Sequence, residues 1–375
     1  MKTVVIISSQ AYSLINFRGS LIRELVGSGV QVFALAPDID DEIWRKLEEI
    51  GAKPVHITLS RVGLNPVKDL WDTVSLIAQI KRLRPDVTLS YLIKPVIYGT
   101  VAAFLAGVPR RIALIEGLGY VYTDSDEQLT WRKSALRFFV SLLYKIALTL
   151  AERVLFLNHD DLREFVGAKL VDPEKVIVID GIGIDLNYWE EKPPCLEPVT
   201  FVMVARLLRE KGVLEFVDAA RTVKAKYPSL KFVLLGSVDL NPSSLAHEEV
   251  QAWVDEGLLM WPGHVDVKPW LIRSSVFVLP SYREGLPRST QEAMAVGRAV
   301  ITTNVPGCRD TVENEVNGFL IEAKNSIQLA AAMMKFIDYP SKIIAMGRES
   351  RKMAESRFDE RRINKKFIEI LHGKV

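Results

Sequence analysis

The sequence predicts an α/β protein of two domains, each a parallel sheet with helices on both faces. A chain of 375 residues is too long for one ordinary core and suits two domains of roughly 150–190 residues. Short β-branched runs, apolar on both faces, alternate with longer amphipathic segments, which is typical of parallel sheets. The segment Asn187–Pro198 interrupts this alternation with prolines and acidic residues and predicts a linker.

The first domain is predicted over residues 1–187. Thr3–Ser8 is its opening strand, and apolar residues at helical spacing in Val67–Leu83 predict a helix before the strand Val87–Tyr91. The helix before the second strand is predicted at Phe17–Val26. The alternation also includes Val30–Ala36, Glu42–Ile50, Pro54–Ile57, Arg111–Ile115, Arg153–Leu157 and Lys175–Ile179.

Beyond the linker, predicted as residues 188–198, the alternation restarts and predicts a second domain over 199–355. Its strands are Val199–Val204, Lys231–Leu235, Leu258–Trp261, Val276–Leu279 and Ala299–Thr302. Ligands of such sheets bind at the carboxyl ends of the strands, so we expect the site in a cleft between two Rossmann-like domains.

Composition narrows the class of protein. The formal net charge of +2 argues against a nucleic-acid binder, which usually carries a large positive excess. Cys195 and Cys308 are the two cysteines, so no disulfide framework is expected and a reducing compartment is the simplest home. The start MKTVVIIS is interpreted as a strand, not a signal peptide. Gly99–Val108 and Leu136–Leu150 are too short or too charged to span a membrane, so a cytoplasmic protein is expected.

The segment Val276–Gly297 holds the first group of candidate site residues. Glu284 lies in a turn after a buried strand, and Glu292 follows on a helix that starts near Arg288. A carboxylate there can accept two hydrogen bonds from a vicinal diol of a ribose or sugar ring. The backbone of Gly285–Leu286 can approach a ligand closely and offer N–H groups. The alternative is a helix-start carboxylate and a solvated loop carboxylate.

A second group lies in Val202–Gly212. The strand is predicted to end at Arg206, and Lys211–Gly212 to open the next helix. Arginine offers a planar fork to phosphate oxygens and lysine a point charge, so the two can neutralise a diphosphate without metal. Their place beside a helix N-terminus favours anion binding over the alternative of two solvated basic residues.

These segments together resemble the family 4 glycosyltransferases of the GT-B fold. The resemblance is strong over about residues 175–370 and weaker before them. It rests on an ordered series of short motifs: Gly181–Asp185, Arg206 with Lys211-Gly212, Leu279–Tyr282, Glu284–Pro287, Glu292–Gly297, Val305–Gly307, Glu313 and Asn317-Gly318.

The resemblance implies a role for each matched residue. Glu284 would contact the transferred sugar and Glu292 the nucleotide ribose, while Arg206 and Lys211 stabilise the departing diphosphate. Gly285 and Leu286 would present backbone N–H groups to the donor. It further implies a retaining, metal-independent transfer without a cofactor, and a terminal helix at Phe358–Leu371, within residues 356–375, that crosses back onto the first domain.

The first domain departs from the commonest family pattern, because its first loop, Ser8–Phe17, has no glycine pair. Asn16 and Arg18 are candidates near the substrates, although Arg18 can instead anchor the first helix. The stretch Ile115–Tyr120, with Arg61 and Asn65-Pro66 upstream, resembles bacterial transferases that extend lipid-linked sugars. Glu116 is therefore a candidate for acceptor positioning or proton transfer, with a structural turn carboxylate as the alternative.

The basic, aromatic helix predicted at Trp131–Leu150 fits either a bilayer interface or an internal helix that covers a sheet. Because the implied acceptor is a lipid, we expect peripheral contact with the inner face of the plasma membrane.

The resemblance implies a UDP-sugar donor, with UDP-N-acetylgalactosamine as the specific candidate, and a polyprenyl-diphosphate-linked sugar as the acceptor in cell-envelope glycan assembly. Two alternatives remain open. A nucleotide-sugar epimerase of the same fold would show a different acid/base set, and a non-catalytic membrane scaffold would not need the pair Arg206 and Lys211.

Overall fold

The structure is a computed structural model that describes residues 1–59, 65–118, 131–239, 241 and 243–374, with only the backbone of residues 131–133. The chain forms two compact units. One unit is Met1–Gly183 together with the chain from Glu360 onward, and the other is Ile184–Asp359. Each unit contains one parallel sheet, as the alternation of strands and helices predicts.

The first unit is built on a seven-stranded parallel sheet with the order β3-β2-β1-β4-β5-β6-β7. Val4–Ile7 of the central strand is fully buried, which explains its unbroken β-branched sequence. The strands are β1 (Thr3–Ile7), β2 (Gln31–Ala36), β3 (Lys53–His56), β4 (Val87–Tyr91), β5 (Arg110–Ile115), β6 (Arg153–Phe156) and β7 (Val176–Val178).

Side-chain caps fix the starts of several helices in this unit. The Asn65 side chain accepts a hydrogen bond from the backbone N–H of Lys68 at 3.1 Å, and Pro66 occupies the first helical position. The helices are α1 (Ala11–Asn16), α2 (Gly19–Gly27), α3 (Asp41–Glu49), α4 (Pro66–Leu83), α5 (Thr100–Leu105), α6 (Trp131–Leu150) and α7 (His159–Gly167), and a π-helical turn at Pro95–Gly99 leads into α5.

The structure corrects the single helix predicted at Phe17–Val26. The chain forms the short α1 before α2, and the break lies at Phe17 and Arg18. The Ser13 hydroxyl lies 2.9 Å from the Ser8 hydroxyl and donates to the Gln10 carbonyl at 2.7 Å, so local polar contacts hold α1. Such contacts leave no apolar period to detect.

The second unit has a six-stranded parallel sheet with the order β10-β9-β8-β11-β12-β13. Its strands are β8 (Thr200–Val204), β9 (Lys231–Leu235), β10 (Met260–Gly263), β11 (Val276–Leu279), β12 (Ala299–Thr303) and β13 (Gly318–Ile321). Its helices are α8 (Val213–Lys226), α9 (His247–Asp255), α10 (Lys268–Ile272), α11 (Arg288–Ala295), α12 (Ser326–Asp338) and α13 (Ser341–Arg357). We did not predict the edge strand β13.

The last helix, α14 (Glu360–His372), belongs to the first unit and packs against α2. The Asn364 amide donates to Ser20 Oγ at 2.9 Å and to Glu24 Oε1 at 2.7 Å. The Lys366 ammonium donates to the Val178 carbonyl at 2.6 Å. Polar contacts as well as buried side chains therefore attach α14 to α2 and to the end of β7.

The order of the strands predicts where each unit binds ligands. The chain reverses its direction across the sheet between β1 and β4 in one unit and between β8 and β11 in the other. In open parallel sheets the crevice outside the carboxyl ends of such strands is the usual ligand site. The loops after these strands are therefore the ones to inspect.

Candidate functional site

In the second unit, the loops after β8 and β11 bring two of the sequence-predicted residues into direct contact. Lys211 Nζ donates a hydrogen bond to Glu284 Oε1 at 2.6 Å, and both side chains are largely buried. The family resemblance implies a diphosphate contact for the lysine and a sugar contact for the glutamate. The structure shows that they form one ion pair.

Backbone contacts hold these two loops together. Tyr282 N donates to the Glu210 carbonyl at 2.9 Å, and the Ser281 hydroxyl donates to the same oxygen at 3.1 Å. Gly212 has a φ of 76°, and a Cβ there would lie 2.1 Å from the Pro280 carbonyl oxygen. Only glycine permits this backbone conformation at so close an approach.

The boundaries predicted around Lys211 need a correction. Strand β8 ends at Val204, before Arg206, and α8 begins at Val213. Between them, residues Arg209–Lys211 form a 3₁₀ turn, and Gly212 caps α8. The polar residues of this loop carry no apolar period, so the pattern did not separate the turn from the helix.

The loop after β12 fixes the backbone of Glu284. Glu284 N donates to the Pro306 carbonyl at 3.1 Å. Gly307 has a φ of 76°, and a Cβ there would lie 2.2 Å from the Glu284 carbonyl oxygen and 2.5 Å from that of Gly285. The motif Val305–Gly307 therefore matters because it permits this contact.

Cys308, beside this contact, is fully buried. Burial, together with the negative charge of Glu284, raises the pKa of its thiol to about 12. A thiol with such a pKa stays protonated at neutral pH and does not serve as a nucleophile.

The Arg206 side chain pairs with an acid other than Glu284. Its guanidinium is half-exposed, and Nη1 donates to Asp239 Oδ2 at 3.0 Å. Asp239 follows β9, and sequence reasoning missed it. A carboxylate soon after the carboxyl end of a predicted strand was the signal that would have found it.

Glu292 lies on α11 with Arg288 one turn before it. Arg288 Nε donates to Glu292 Oε1 at 2.9 Å. Burial raises the pKa of the Glu292 carboxyl above its ordinary value of 4.5, and the charge and hydrogen bond of Arg288 act in the opposite direction. The position of Glu292 on a helix that starts at Arg288 agrees with the prediction from the sequence.

The turn before α11 contains the two residues predicted to offer backbone N–H groups, Gly285 and Leu286. The Leu286 side chain is buried, and the backbone carbonyl of Leu286 accepts a hydrogen bond from Gln291 Nε2 at 3.3 Å. Thr290 Oγ1 and Gln291 Oε1 are buried and have no hydrogen-bond partner among the described residues. Sequence reasoning missed these two polar atoms, which lie in the first turn of α11.

In the first unit, Arg18 and Glu116 form a buried ion pair through Arg18 Nη2 and Glu116 Oε1. The Arg18 guanidinium carbon lies 4.6 Å from the centre of the Tyr91 ring and 5.5 Å from that of Phe367 on α14. Tyr91 ends β4 and Glu116 follows β5, so the pair lies at the carboxyl edge of the sheet.

Burial controls the protonation of this pair. It raises the pKa of the Glu116 carboxyl above 4.5, against the opposing charge and hydrogen bond of Arg18. It also raises the pKa of Tyr91 to about 12, and the Tyr91 hydroxyl lies 2.7 Å from Ser13 Oγ. Arg18 thus packs in the core against Tyr91 and Phe367 and pairs with the Glu116 carboxylate, while its place near the substrates stays a prediction.

Asn16 lies at the end of α1, where its amide donates to the Tyr12 carbonyl at 3.1 Å. Two further parts of the predicted acceptor-side motif, Arg61 and Gly119-Tyr120, lie outside the described residues.

Comparison with known proteins gives these units a family. Residues 198–338 match the family described as glycosyl transferases group 1, and residues 16–180 match the glycosyl transferase 4-like domain. An enzyme of Campylobacter jejuni named N,N'-diacetylbacillosaminyl-diphospho-undecaprenol alpha-1,3-N-acetylgalactosaminyltransferase is 31% identical over 339 residues, which are 86% of each chain. The chain is a group 1 glycosyltransferase. The resemblance noted in the sequence is confirmed.

This glycosyltransferase has a second similar relative in Escherichia coli, named UDP-Gal:alpha-D-GlcNAc-diphosphoundecaprenol alpha-1,3-galactosyltransferase. That enzyme is 30% identical over 298 residues, covering 75% of this chain and 73% of its own.

Solved structures confirm the fold of the glycosyltransferase. Anabaena Alr3699/HepE in complex with UDP has a TM-score of 0.77 at 19% identity, with both chains covered completely. The sucrose-phosphate synthase of Thermosynechococcus elongatus has a TM-score of 0.80 at 16% identity and covers 100% of this chain and 99% of its own. The α/β class with two Rossmann-like domains of the GT-B fold is therefore confirmed.

Proposed function

We propose that this glycosyltransferase moves a hexosamine, with N-acetylgalactosamine as the first candidate, from a UDP-sugar to a polyprenyl-diphosphate-linked sugar in cell-envelope glycan assembly. One observation carries the proposal. The Campylobacter jejuni relative, whose name states this donor sugar and an undecaprenyl diphosphate acceptor, is 31% identical over 86% of both chains.

The charges of the second unit support the donor-side roles. Lys211 is a cation beside a carboxylate, so a diphosphate that approaches Lys211 must share it with Glu284. Cations fixed before the reaction stabilise the developing diphosphate without reorganisation, and this is commonly the largest catalytic term. Lys211 and Arg206 together would supply this charge without a metal ion, and Glu284 would contact the transferred sugar.

Glu292 is proposed to bind the ribose diol, and the Gly285–Leu286 backbone to contact the donor phosphates and sugar. The proposed reaction retains the anomeric configuration through front-face transfer. The bond from the anomeric carbon to the diphosphate oxygen breaks as the acceptor oxygen bonds to the same carbon. The leaving diphosphate oxygen helps to deprotonate the acceptor hydroxyl, and the proton ends on the diphosphate either directly or by way of a protein carboxylate.

In the first unit we propose that Glu116, held by Arg18, positions the acceptor hydroxyl or transfers its proton. The support is its place at the carboxyl edge of the sheet, beside Arg18, and the burial that raises the pKa of its carboxyl above the ordinary value. Asn16 remains a candidate for an acceptor contact through the end of α1.

The relatives act on lipid-linked sugars by name, so we also propose a cytoplasmic enzyme that binds peripherally to the inner face of the plasma membrane through α6. Within the described part of the chain, no helix is long and apolar enough to cross a bilayer.

The test is a transfer assay with radiolabelled UDP-N-acetylgalactosamine, UDP-galactose and UDP-N-acetylglucosamine. Each is offered with synthetic undecaprenyl-diphosphate sugars, followed by linkage analysis and a parallel assay with EDTA. An α-linked N-acetylgalactosaminyl product that forms in EDTA supports the proposed donor, the acceptor, retention of configuration and independence of metal. A preference for UDP-galactose replaces the donor with that named for the Escherichia coli relative. A free epimerised sugar nucleotide, or UDP binding with no transfer to any lipid, overturns the proposal.

A further inference from the structure

The first half of helix α4 exposes apolar side chains and buries charged ones, the opposite of the usual arrangement. Its outward side chains are apolar: Val67, Leu70, Trp71 and Val74 are 67%, 64%, 70% and 50% exposed. These positions recur at three- and four-residue spacing, so they form one continuous stripe along the helix. In a helix that only covers a sheet, such a stripe faces the core.

The inward side of α4 carries charge. Asp69 is buried, and its Oδ1 accepts a hydrogen bond from Lys94 Nζ at 2.7 Å. The Tyr98 hydroxyl donates to Asp69 Oδ2 at 3.1 Å. Asp72, three residues further along α4, is also buried. These contacts fix the rotation of α4, because turning the apolar stripe inward would break a buried ion pair. The exposure of the stripe is therefore built into the fold.

Helix α6 continues the apolar surface. Phe138 is 74% exposed, and Phe139, Leu142 and Ile146 are also exposed. The connections from β3 to β4, β4 to β5 and β5 to β6 all run in one direction across the sheet, so right-handed crossovers place α4, α5 and α6 on one face. Helix α5 packs against both α4 and α6. The two apolar stripes therefore belong to one side of the unit.

On helices α4, α5 and α6, the exposed charged side chains that the structure describes are positive. Exposed Lys68, Lys81 and Arg82 lie on α4, and exposed Lys145 lies on α6. The carboxylates of α4 are Asp69 and Asp72, both of which are buried, and the sequences of α5 and α6 contain no Asp or Glu. An apolar surface fringed by cations complements an anionic surface that has an apolar interior.

We propose that the outward faces of α4 and α6 bind an anionic lipid bilayer, with Trp71, Leu70 and Phe138 inserted among the lipids. This inference rests on the proposed function, because it names the surface that brings the enzyme to a lipid-linked acceptor. A second copy of the chain fits less well, since a two-fold contact would set the same lysines against each other. Contiguous exposed apolar surface of this kind usually marks a protein or membrane contact.

The experiment is flotation with vesicles of phosphatidylcholine and phosphatidylglycerol in equal parts, at low and at high salt. We compare the unmodified chain with the double variant Leu70→Ser/Trp71→Ser and with Phe138→Ser. The control is Ile327→Ser, because Ile327 is 82% exposed on the second unit. Apolar burial of two such side chains predicts about a tenfold or greater loss of vesicle binding for the double variant. The control is expected to float as the unmodified chain does.

A second double variant, Lys68→Glu/Lys145→Glu, tests the contribution of charge. It changes exposed residues only, so it still tests the inference if a serine variant fails to fold. It should lower binding to anionic vesicles by about tenfold and weaken the salt dependence, because Lys81 and Arg82 remain. Flotation of every variant at the unmodified level overturns the inference. The inference is also overturned if the unmodified chain binds no vesicles but forms a concentration-dependent dimer, and if Leu70→Ser/Trp71→Ser abolishes that dimer.

Transfer to a short-chain, water-soluble acceptor separates this inference from the proposed function. If the double variant keeps that transfer and loses only vesicle binding, both stand. If the unmodified chain transfers sugar but binds no vesicle, the membrane surface is wrong and the function stands. If it binds vesicles but transfers no sugar to any acceptor, the surface stands and the proposed function fails.

Discussion

Lys211 Nζ and Glu284 Oε1 lie 2.6 Å apart, in loops that follow neighbouring strands of the second unit. The proposed contact with the diphosphate and the proposed contact with the sugar therefore share one ion pair. A donor that binds here exchanges part of this pairing for its own phosphate oxygens and sugar hydroxyls. The energy of the pair becomes part of the energy of donor binding, which makes the two residues interdependent.

Lys211→Ala should lower kcat by about 10²- to 10³-fold, because it removes a fixed charge at the developing diphosphate. The measurement is steady-state transfer kinetics, with circular dichroism to confirm the fold. The control is Lys352→Ala, since Lys352 also pairs with a glutamate but lies exposed on α13. Near-normal turnover in Lys211→Ala would remove this residue from the site.

The coupling between Lys211 and Glu284 is measurable by a double-mutant cycle with Glu284→Gln. Residues in direct ionic contact interact by about 0.5–3 kcal/mol. We expect the double variant to bind UDP-sugar, measured by calorimetry, with a free energy that departs from the sum of the single effects. Additive losses would show that the pair does not act as a unit in donor binding.

Gly307→Ala should destabilise the second unit and weaken UDP binding. The positive φ costs about 1–3 kcal/mol for a residue with a Cβ. The new Cβ would also displace the backbone of Glu284 and Gly285. The matched control is Gly257→Ala, because Gly257 has a φ of 66° but no atom within 4 Å of the added Cβ. Thermal unfolding and UDP calorimetry should show a larger loss at Gly307, and equal losses would contradict the role of the close contact.

Glu292 should make donor binding depend on pH. Burial raises the pKa of its carboxyl above 4.5, and a protonated carboxyl accepts fewer hydrogen bonds from a diol. UDP affinity should therefore fall as the pH falls through this raised pKa. Glu292→Gln should flatten this pH profile of UDP affinity. The difference in affinity between the unmodified chain and the variant should shrink when 2′,3′-dideoxy-UDP, which lacks the diol, replaces UDP. A profile that is unchanged in Glu292→Gln would assign the titration to another group.

The same raised pKa has a consequence for stability with a defined sign. The folded state holds a proton on Glu292 at pH values where the unfolded chain has lost it. Its contribution is fully present below pH 4.5 and is lost as the pH rises through the folded pKa. Glu292→Gln should thus gain stability relative to the unmodified chain at neutral pH, as measured by urea unfolding at pH 5 and pH 8.

Glu116→Gln should slow transfer while donor binding stays intact, if Glu116 positions the acceptor or takes its proton. Arg18→Lys keeps the charge but loses the flat guanidinium between Tyr91 and Phe367, so it should shift the pH profile of kcat/KM for the acceptor. Transfer at the full rate in Glu116→Gln would leave the pair with a structural role only.

Much of the fold was predictable because buried parallel strands and amphipathic helices leave periodic apolar patterns. The bounds of β4, β9, β11 and α6 agree with the predicted Val87–Tyr91, Lys231–Leu235, Val276–Leu279 and Trp131–Leu150. Helix α1 escaped prediction because local polar contacts hold it, and strand β13 was also not predicted. The positions of Glu284 and Glu292, in a turn and on a helix, followed from the same patterns.

The sequence by itself determined the α/β class, the family and the loops that carry the candidate residues, because periodicity and ordered motifs are local properties of the chain. Tertiary structure alone decided that Lys211 pairs with Glu284, that Arg206 pairs with Asp239, and that α4 turns its apolar stripe outward. The physical reason is that these outcomes depend on contacts between residues far apart in sequence. The charge of Lys94, for example, holds Asp69 inward and so fixes which face of α4 reaches the surface.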